Sequence, residues 1–163
     1  MSKRYTVSIS IAIIVLALDQ ISKYLVRQFL PLNHSIEVIN GFFNLVHIQN
    51  PGIIFGIFSQ STHALRNYLL ITGSLLAILF LLFFIRSLRE RDFPLTVAIS
   101  LILGGAIGNL VDRIIFEKVI DFLDFYWHSH HWPAFNMADS AITVGMVILV
   151  IQILRDESNQ PSN

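Results

Sequence analysis

Four apolar stretches, each close to the length that crosses a bilayer, constrain this chain more than any other feature. Residues 68–85 carry no charge over 18 positions, and residues 95–111 none over 17. A spanning helix needs about 20 mostly apolar residues. Residues 5–18 are also uncharged and run on through Asp19 to about Leu25, while residues 141–154 extend backwards through Met137 and Ala138. The first and fourth stretches therefore span only if Asp19 and Asp139 lie at or inside the membrane boundary. The spacing predicts transmembrane helices at about 6–25, 68–85, 95–113 and 138–154, with longer segments at about 27–67 and 114–137 between them. Composition agrees: 13% of the 163 residues are charged, where a soluble domain carries about 25%. The first stretch follows Lys3 and Arg4 as a signal peptide would. It ends in Asp19-Gln20-Ile21-Ser22-Lys23 rather than a small-x-small cleavage site, and reads as a retained helix.

Net charge is zero, so no nucleic-acid partner is expected. The absence of cysteine removes disulfides, thiol nucleophiles and cysteine metal ligands together. No internal repeat or long linker divides the chain, which reads as a single domain over 1–163. Lys3, Arg4, Arg86, Arg89, Arg91 and Arg155 flank the stretches on one side. The positive-inside rule then puts both termini in the cytoplasm and the two longer segments outside, although Arg27, Arg66 and Lys118 weaken the bias. In the first outer segment Ser35-Ile36-Glu37-Val38-Ile39 alternates, Gly41 turns, and Phe42 to Ile48 is aromatic and branched. Two short strands are expected there, a small extracytoplasmic β element on the membrane surface, followed by a turn at Asn50-Pro51-Gly52.

An ionisable group inside a span costs about 2.5 to 3.5 kcal/mol on insertion scales, which makes each one a functional candidate. Asp19 and Lys23 share a helix face at i, i+4. They form either a helix-end ion pair with Lys23 snorkelling to the interface or part of a substrate or lipid site. In Gly104-Gly105-Ala106-Ile107-Gly108-Asn109-Leu110-Val111-Asp112-Arg113, Gly105, Gly108, Asn109 and Asp112 share one face, with Arg113 beside it. The small residues permit close approach. The polar stripe must meet protein or water rather than lipid, although Asp112-Arg113 also suits an interfacial anchor. Asp121 and Asp124 lie among aromatics that resemble an interfacial belt, where solvated loop carboxylates are common. Asn136 and Asp139 have the spacing of a capping box, which by itself gives Asp139 a structural role. The collection nonetheless gathers carboxylates and asparagines at one depth. Two carboxyls from different segments can share a proton, one acting as general base toward water and the other polarising a carbonyl.

Taken together the motifs resemble those of lipoprotein signal peptidase, the signal peptidase II family, along nearly the whole chain. They are Asp19-Gln20-x-x-Lys23, Asn50-x-Gly52-x-x-Phe55-Gly56, Gly104-Gly105-x-x-Gly108-Asn109-x-x-Asp112-Arg113, Val119-x-Asp121-Phe122 and Phe135-Asn136-x-Ala138-Asp139. The resemblance implies a membrane aspartic endopeptidase with Asp121 and Asp139 as its catalytic dyad, working without cofactor or metal. Its substrates would be prolipoproteins already carrying diacylglycerol, cut just before the lipidated cysteine. Asn109 and Asn136 would orient the dyad or the substrate backbone, and Asp112 and Arg113 would support it. Asp19, Lys23, Asn50 and Gly52 would shape the substrate site, with Gly105, Gly108 and Ala138 close by. The resemblance further implies a bacterial plasma (inner) membrane location, an active site near the outer leaflet, membrane lipid as a partner and no obligatory protein partner. Two departures concern loop shape. Glu117-Lys118 stands where the family often has glycine, and Ile53-Ile54 where small residues are common. Two rival readings are metal ligation by His128-Ser129-His130-His131, which lacks a His-Glu-x-x-His helix, and a proton-coupled transporter or membrane adaptor. The latter would need polar residues leading to both membrane faces.

Overall fold

The structure, a computed structural model, describes residues 2–52, 62–89 and 92–158. Ile53, Ile54, Phe55, Gly56 and Arg91 lie outside the described residues. Four long helices are present: α1 (Lys3–Phe29), α2 (His63–Ser87), α3 (Phe93–Phe116) and α4 (Met137–Ser158). All four contain windows long and apolar enough to cross a membrane. They extend beyond the uncharged runs because basic and aromatic residues cover their ends: α1 begins at Lys3 and continues past Arg27, whose guanidinium lies 4.2 Å from the Phe116 ring centroid.

Helix α3 is the central one and packs on the other three. Its Ile99, Ile102, Leu103 and Leu110 join Ala12 of α1 and Ile78, Leu81 and Ile85 of α2 in one buried cluster. Ile13, Ile14, Leu79, Phe80, Phe83 and Val147 face outwards, fully apolar and exposed, as lipid-facing positions require. Between helices in lipid the hydrophobic drive is weak, so close backbone approach matters. A Cβ at Gly105 would run into the Ala138 carbonyl oxygen, with Ile142 Cγ1 2.8 Å away, and one at Gly108 would lie 2.5 Å from Asp19 Oδ2. These two glycines set the spacing of α3 from α4 and α1 at the level of the polar stripe.

A four-stranded sheet of order β1-β2-β3-β4 joins the helices. Strand β1 (Ser35–Ile39) and strand β2 (Phe43–Asn50) form the hairpin that the first outer segment encodes, with Gly41 at φ 73° in its turn. The chain after α3 is not the loop its sequence suggests. It is strand β3 (Val119–Trp127), antiparallel to β2, with Ile48 opposite Asp121 and Asn50 opposite Val119. Residues Val119, Ile120, Asp121 and Phe122 are all buried. Both faces of the strand are covered, so its sequence lacks the alternation that marks a half-buried strand. Between the Leu45–Leu123 and Ile48–Asp121 pairs, Val46 and His47 oppose the single residue Phe122. This bulge re-phases the end of β2, which carries Asn50. The short β4 (His130–His131) completes the sheet.

Helix α3 ends at Glu117, whose φ of 57° and ψ of 10° are left-handed. Glycine takes this C-terminal conformation at no steric cost. The departure from the family pattern therefore places a side chain where the backbone favours none.

Candidate active site

Polar residues from all five motifs meet at one end of the helical bundle, where the sheet joins it. Asp121 is delivered by β3. Asp139 comes from the first turn of α4, where the capping box forms as its spacing predicts. Asp139 N–H donates to Asn136 Oδ1 at 2.9 Å, and Asn136 N–H donates to Asp139 Oδ2 at 3.3 Å. Asn136 Nδ2 in turn donates to Asp121 Oδ1 at 2.8 Å. One fully buried asparagine thus holds both carboxyls, one through its backbone and one through its side chain.

Each remaining carboxylate oxygen also has a donor. Asn109 Nδ2 reaches Asp139 Oδ1 at 2.7 Å, and Asn50 Nδ2 reaches Asp121 Oδ2 at 3.0 Å. Asn50 itself is fixed by an Asx turn in which Gly52 N–H donates to its Oδ1 at 2.8 Å. Gly52 has φ 81°, and the space a Cβ would need is filled by Leu70 Cδ1. Burial pushes the Asp121 carboxyl up to about 6. The bonds from Asn50 and Asn136 and the Lys23 charge pull it down, while the neighbouring Asp139 charge adds to the rise.

Asp19 and Lys23 do not snorkel. They are 0% and 2% exposed and lie inside the protein. Lys23 Nζ is 2.8 Å from Asp19 Oδ2 and 2.9 Å from Asp112 Oδ2, and it donates to Asn109 Oδ1 at 3.0 Å. Asp19 Oδ1 accepts from Ala138 N–H at 2.9 Å, so α1 caps the start of α4. Asp112 Oδ2 accepts from Ile120 N–H at 3.1 Å, which ties α3 to the residue before Asp121. Arg113 Nη1 donates to the Asn109 carbonyl at 3.3 Å, one helical turn back. Gln20 is the participant that sequence reasoning left without a role. Its Nε2 lies 3.1 Å from Asp112 Oδ1 and 3.2 Å from both Asp19 Oδ2 and the Gly108 carbonyl. Its only signal was its place inside the first motif.

Two of the clefts among the described residues reach Asp139. One, about 410 Å³, opens between α2, α3 and α4 and is lined by Gly73, Ser74, Ala106, Asn109 and Arg113 among others. The second, about 480 Å³, lies between α4 and the chain leading into it, with Trp132, Pro133, Phe135 and Thr143 in its walls. His131 of the histidine cluster is engaged elsewhere. His131 Nδ1 is 2.9 Å from Asp124 Oδ1, and its ring stacks on Tyr126 at 4.9 Å. Asp124 also accepts from Asn44 Nδ2 at 2.9 Å. It is thus a buried strut between β2 and β3 rather than a solvated carboxylate. Among the described residues, no three histidine, aspartate or glutamate side chains gather as metal ligands would.

Two solved structures, each described as a bacterial membrane enzyme determined by the in meso method, share this architecture. One, at 2.3 Å resolution, superposes with a TM-score of 0.85 at 32% identity over 97% of this chain and 93% of that one. The other, at 1.9 Å, gives 0.82 at 30% identity over 93% and 94%. The class is thus a multi-pass bacterial membrane protein with a buried polar site at one end of its helices. Residues 11–155 match the family model for signal peptidase (SPase) II, and the chain belongs to that family of peptidases. The lipoprotein signal peptidase of Desulforapulum autotrophicum is 45% identical over 144 residues, covering 88% of this chain and 89% of that protein. The corresponding protein of Nitratidesulfovibrio vulgaris is 39% identical over 163 residues, covering 100% and 98%.

Proposed function

We propose that this protein is an aspartic endopeptidase in which Asp121 and Asp139 form the catalytic dyad. It removes signal peptides from diacylglyceryl-modified prolipoproteins by cutting just before the lipidated cysteine, and the whole chain works as one domain. The observation that carries this reading is the double attachment of Asn136, bonded to Asp121 by its side chain and to Asp139 by its backbone. Carboxyls held so close disfavour double ionisation, and burial of Asp121 acts in the same direction. The pair then works with one proton. The ionised carboxylate takes a proton from water as the oxygen attacks the scissile carbonyl carbon. The protonated carboxyl hydrogen-bonds to the carbonyl oxygen and transfers its proton as the tetrahedral intermediate forms. Collapse breaks the C–N bond, and proton transfer to the departing amine nitrogen frees the cysteine N-terminus.

The surroundings support a substrate that arrives partly in lipid. The bundle presents apolar surface, and both clefts open beside Asp139. Lys3, Arg4, Arg86, Arg89 and Arg155 lie at the helix ends away from the sheet. This favours cytoplasmic termini, with the site near the outer leaflet. The test is cleavage of a diacylglyceryl-prolipoprotein by the purified protein in detergent, with chelator present. Turnover of the native chain that Asp121→Asn and Asp139→Asn both abolish is the expected result. Activity that disappears with chelator and returns with zinc would overturn it.

A further inference from the structure

Lys23 is enclosed by protein. It is 2% exposed, and it lines neither cleft that reaches Asp139. Its position relative to the dyad is nevertheless specific. A side-chain amide can sit in either of two orientations, with the oxygen and nitrogen exchanged. The ammonium of Lys23 can only donate, so the atom of Asn109 that faces it at 3.0 Å must be the oxygen. Asn136 Nδ2 approaches that same oxygen at 3.3 Å. The Asn109 NH2 is thereby committed to Asp139 Oδ1 at 2.7 Å. Through its second partner, Asp112, the same ammonium braces the acceptor of the Ile120 N–H, one residue before Asp121. One buried cation is therefore bonded to the side chain that donates to Asp139 and to the one that holds the backbone beside Asp121.

We propose that Lys23 is a positioning residue for the peptidase reaction, holding Asn109 in the single orientation that donates to Asp139. This rests on the dyad reading above. The role differs from direct contact with substrate, because Lys23 is 2% exposed and acts through the Asn109 amide. It also differs from bulk stability, because it acts through one amide.

Replacing Lys23 alone would strand two carboxylates in the interior and risk misfolding. The informative variant is Lys23→Met combined with Asp112→Asn, which leaves a single buried carboxylate, Asp19, still bonded to the Ala138 N–H and Gln20, read against Asp112→Asn alone. In prolipoprotein cleavage the double variant is expected to lose about 10- to 100-fold in kcat relative to that reference, with KM within about 2-fold. Unchanged kcat, or a rise in KM at constant kcat, overturns the proposal. If the double variant does not fold by its thermal transition in detergent, Asn109→Asp carries the test. It keeps size and the Lys23 contact but offers an oxygen to Asp139 instead of an N–H. A fall in kcat with KM preserved is expected, and full kcat there overturns the proposal. Asp121→Asn and Asp139→Asn belong in the same assay, since activity in either would remove the dyad reading itself rather than the role of Lys23.

Discussion

Asn50→Ala is expected to move the alkaline limb of the pH dependence of kcat/KM upwards. On the proposed dyad mechanism, the limb marks loss of the proton that the pair shares in the free enzyme. Asp121 is the group placed to set it, since burial raises its carboxyl to about 6 from the usual 3.8. The Asn50 Nδ2 bond to Asp121 Oδ2, 3.0 Å long, stabilises the ionised form and opposes that rise. Removing it therefore strengthens the hold on the proton. A hydrogen bond to a charged group contributes about 1.5 to 3 kcal/mol. Asn50 is only half-buried, so water replaces part of the bond and the lower end applies. At about 1.4 kcal/mol per tenfold change in affinity, the limb rises by about one pH unit. Asn50 also anchors the Gly52 turn, and damage there lowers activity at every pH without moving the limb. Position and amplitude thus separate its two roles. The assay is kcat/KM for a diacylglyceryl-prolipoprotein from acid to mildly alkaline pH. A limb that stays in place or moves to lower pH refutes the argument.

Other substitutions test the scaffold. Glu117→Gly relieves a left-handed residue at the exposed end of α3, and should raise stability in detergent by about 0.5 to 1 kcal/mol, read as a higher thermal midpoint. Gly105→Ala forces a methyl against the Ala138 carbonyl and Ile142. It should destabilise by about 1 to 3 kcal/mol and lower turnover as well, because Ala138 adjoins Asp139. Asp19→Ala leaves the Ala138 N–H without its acceptor and removes one of the two carboxylates beside Lys23, so a loss of about 3 to 5 kcal/mol is expected. Asp19→Asn keeps an oxygen for the cap and should cost clearly less in the same thermal assay.

The helices were legible because lipid forces long uncharged runs, and the β1–β2 hairpin because one side of it alternates around Gly41. The capping box was legible because it is local, spanning Asn136 to Asp139. Strand β3 was hidden by its own burial: with Val119 to Phe122 covered on both faces, it shows no period of two. The motif positions named the participants in the site but not their partners. Nothing in an i, i+4 pair distinguishes a lysine that reaches water from one enclosed by Asp112 and Asn109 from another helix. Nor could spacing show that Asp112 would bond to the Ile120 backbone, since that contact depends on how α3 turns into β3 through Glu117.

The central claim is that Asp121 and Asp139 act as one unit, and the most direct test is a double-mutant comparison of Asp121→Asn, Asp139→Asn and the two combined. With cleavage measured under single-turnover conditions, each single change should remove about 10⁴-fold of rate, roughly 5 kcal/mol of transition-state stabilisation. The double variant should be no slower than either single, because the first loss already removes what the pair does together. Near-native turnover in either single variant, or losses that multiply in the double, would contradict the account.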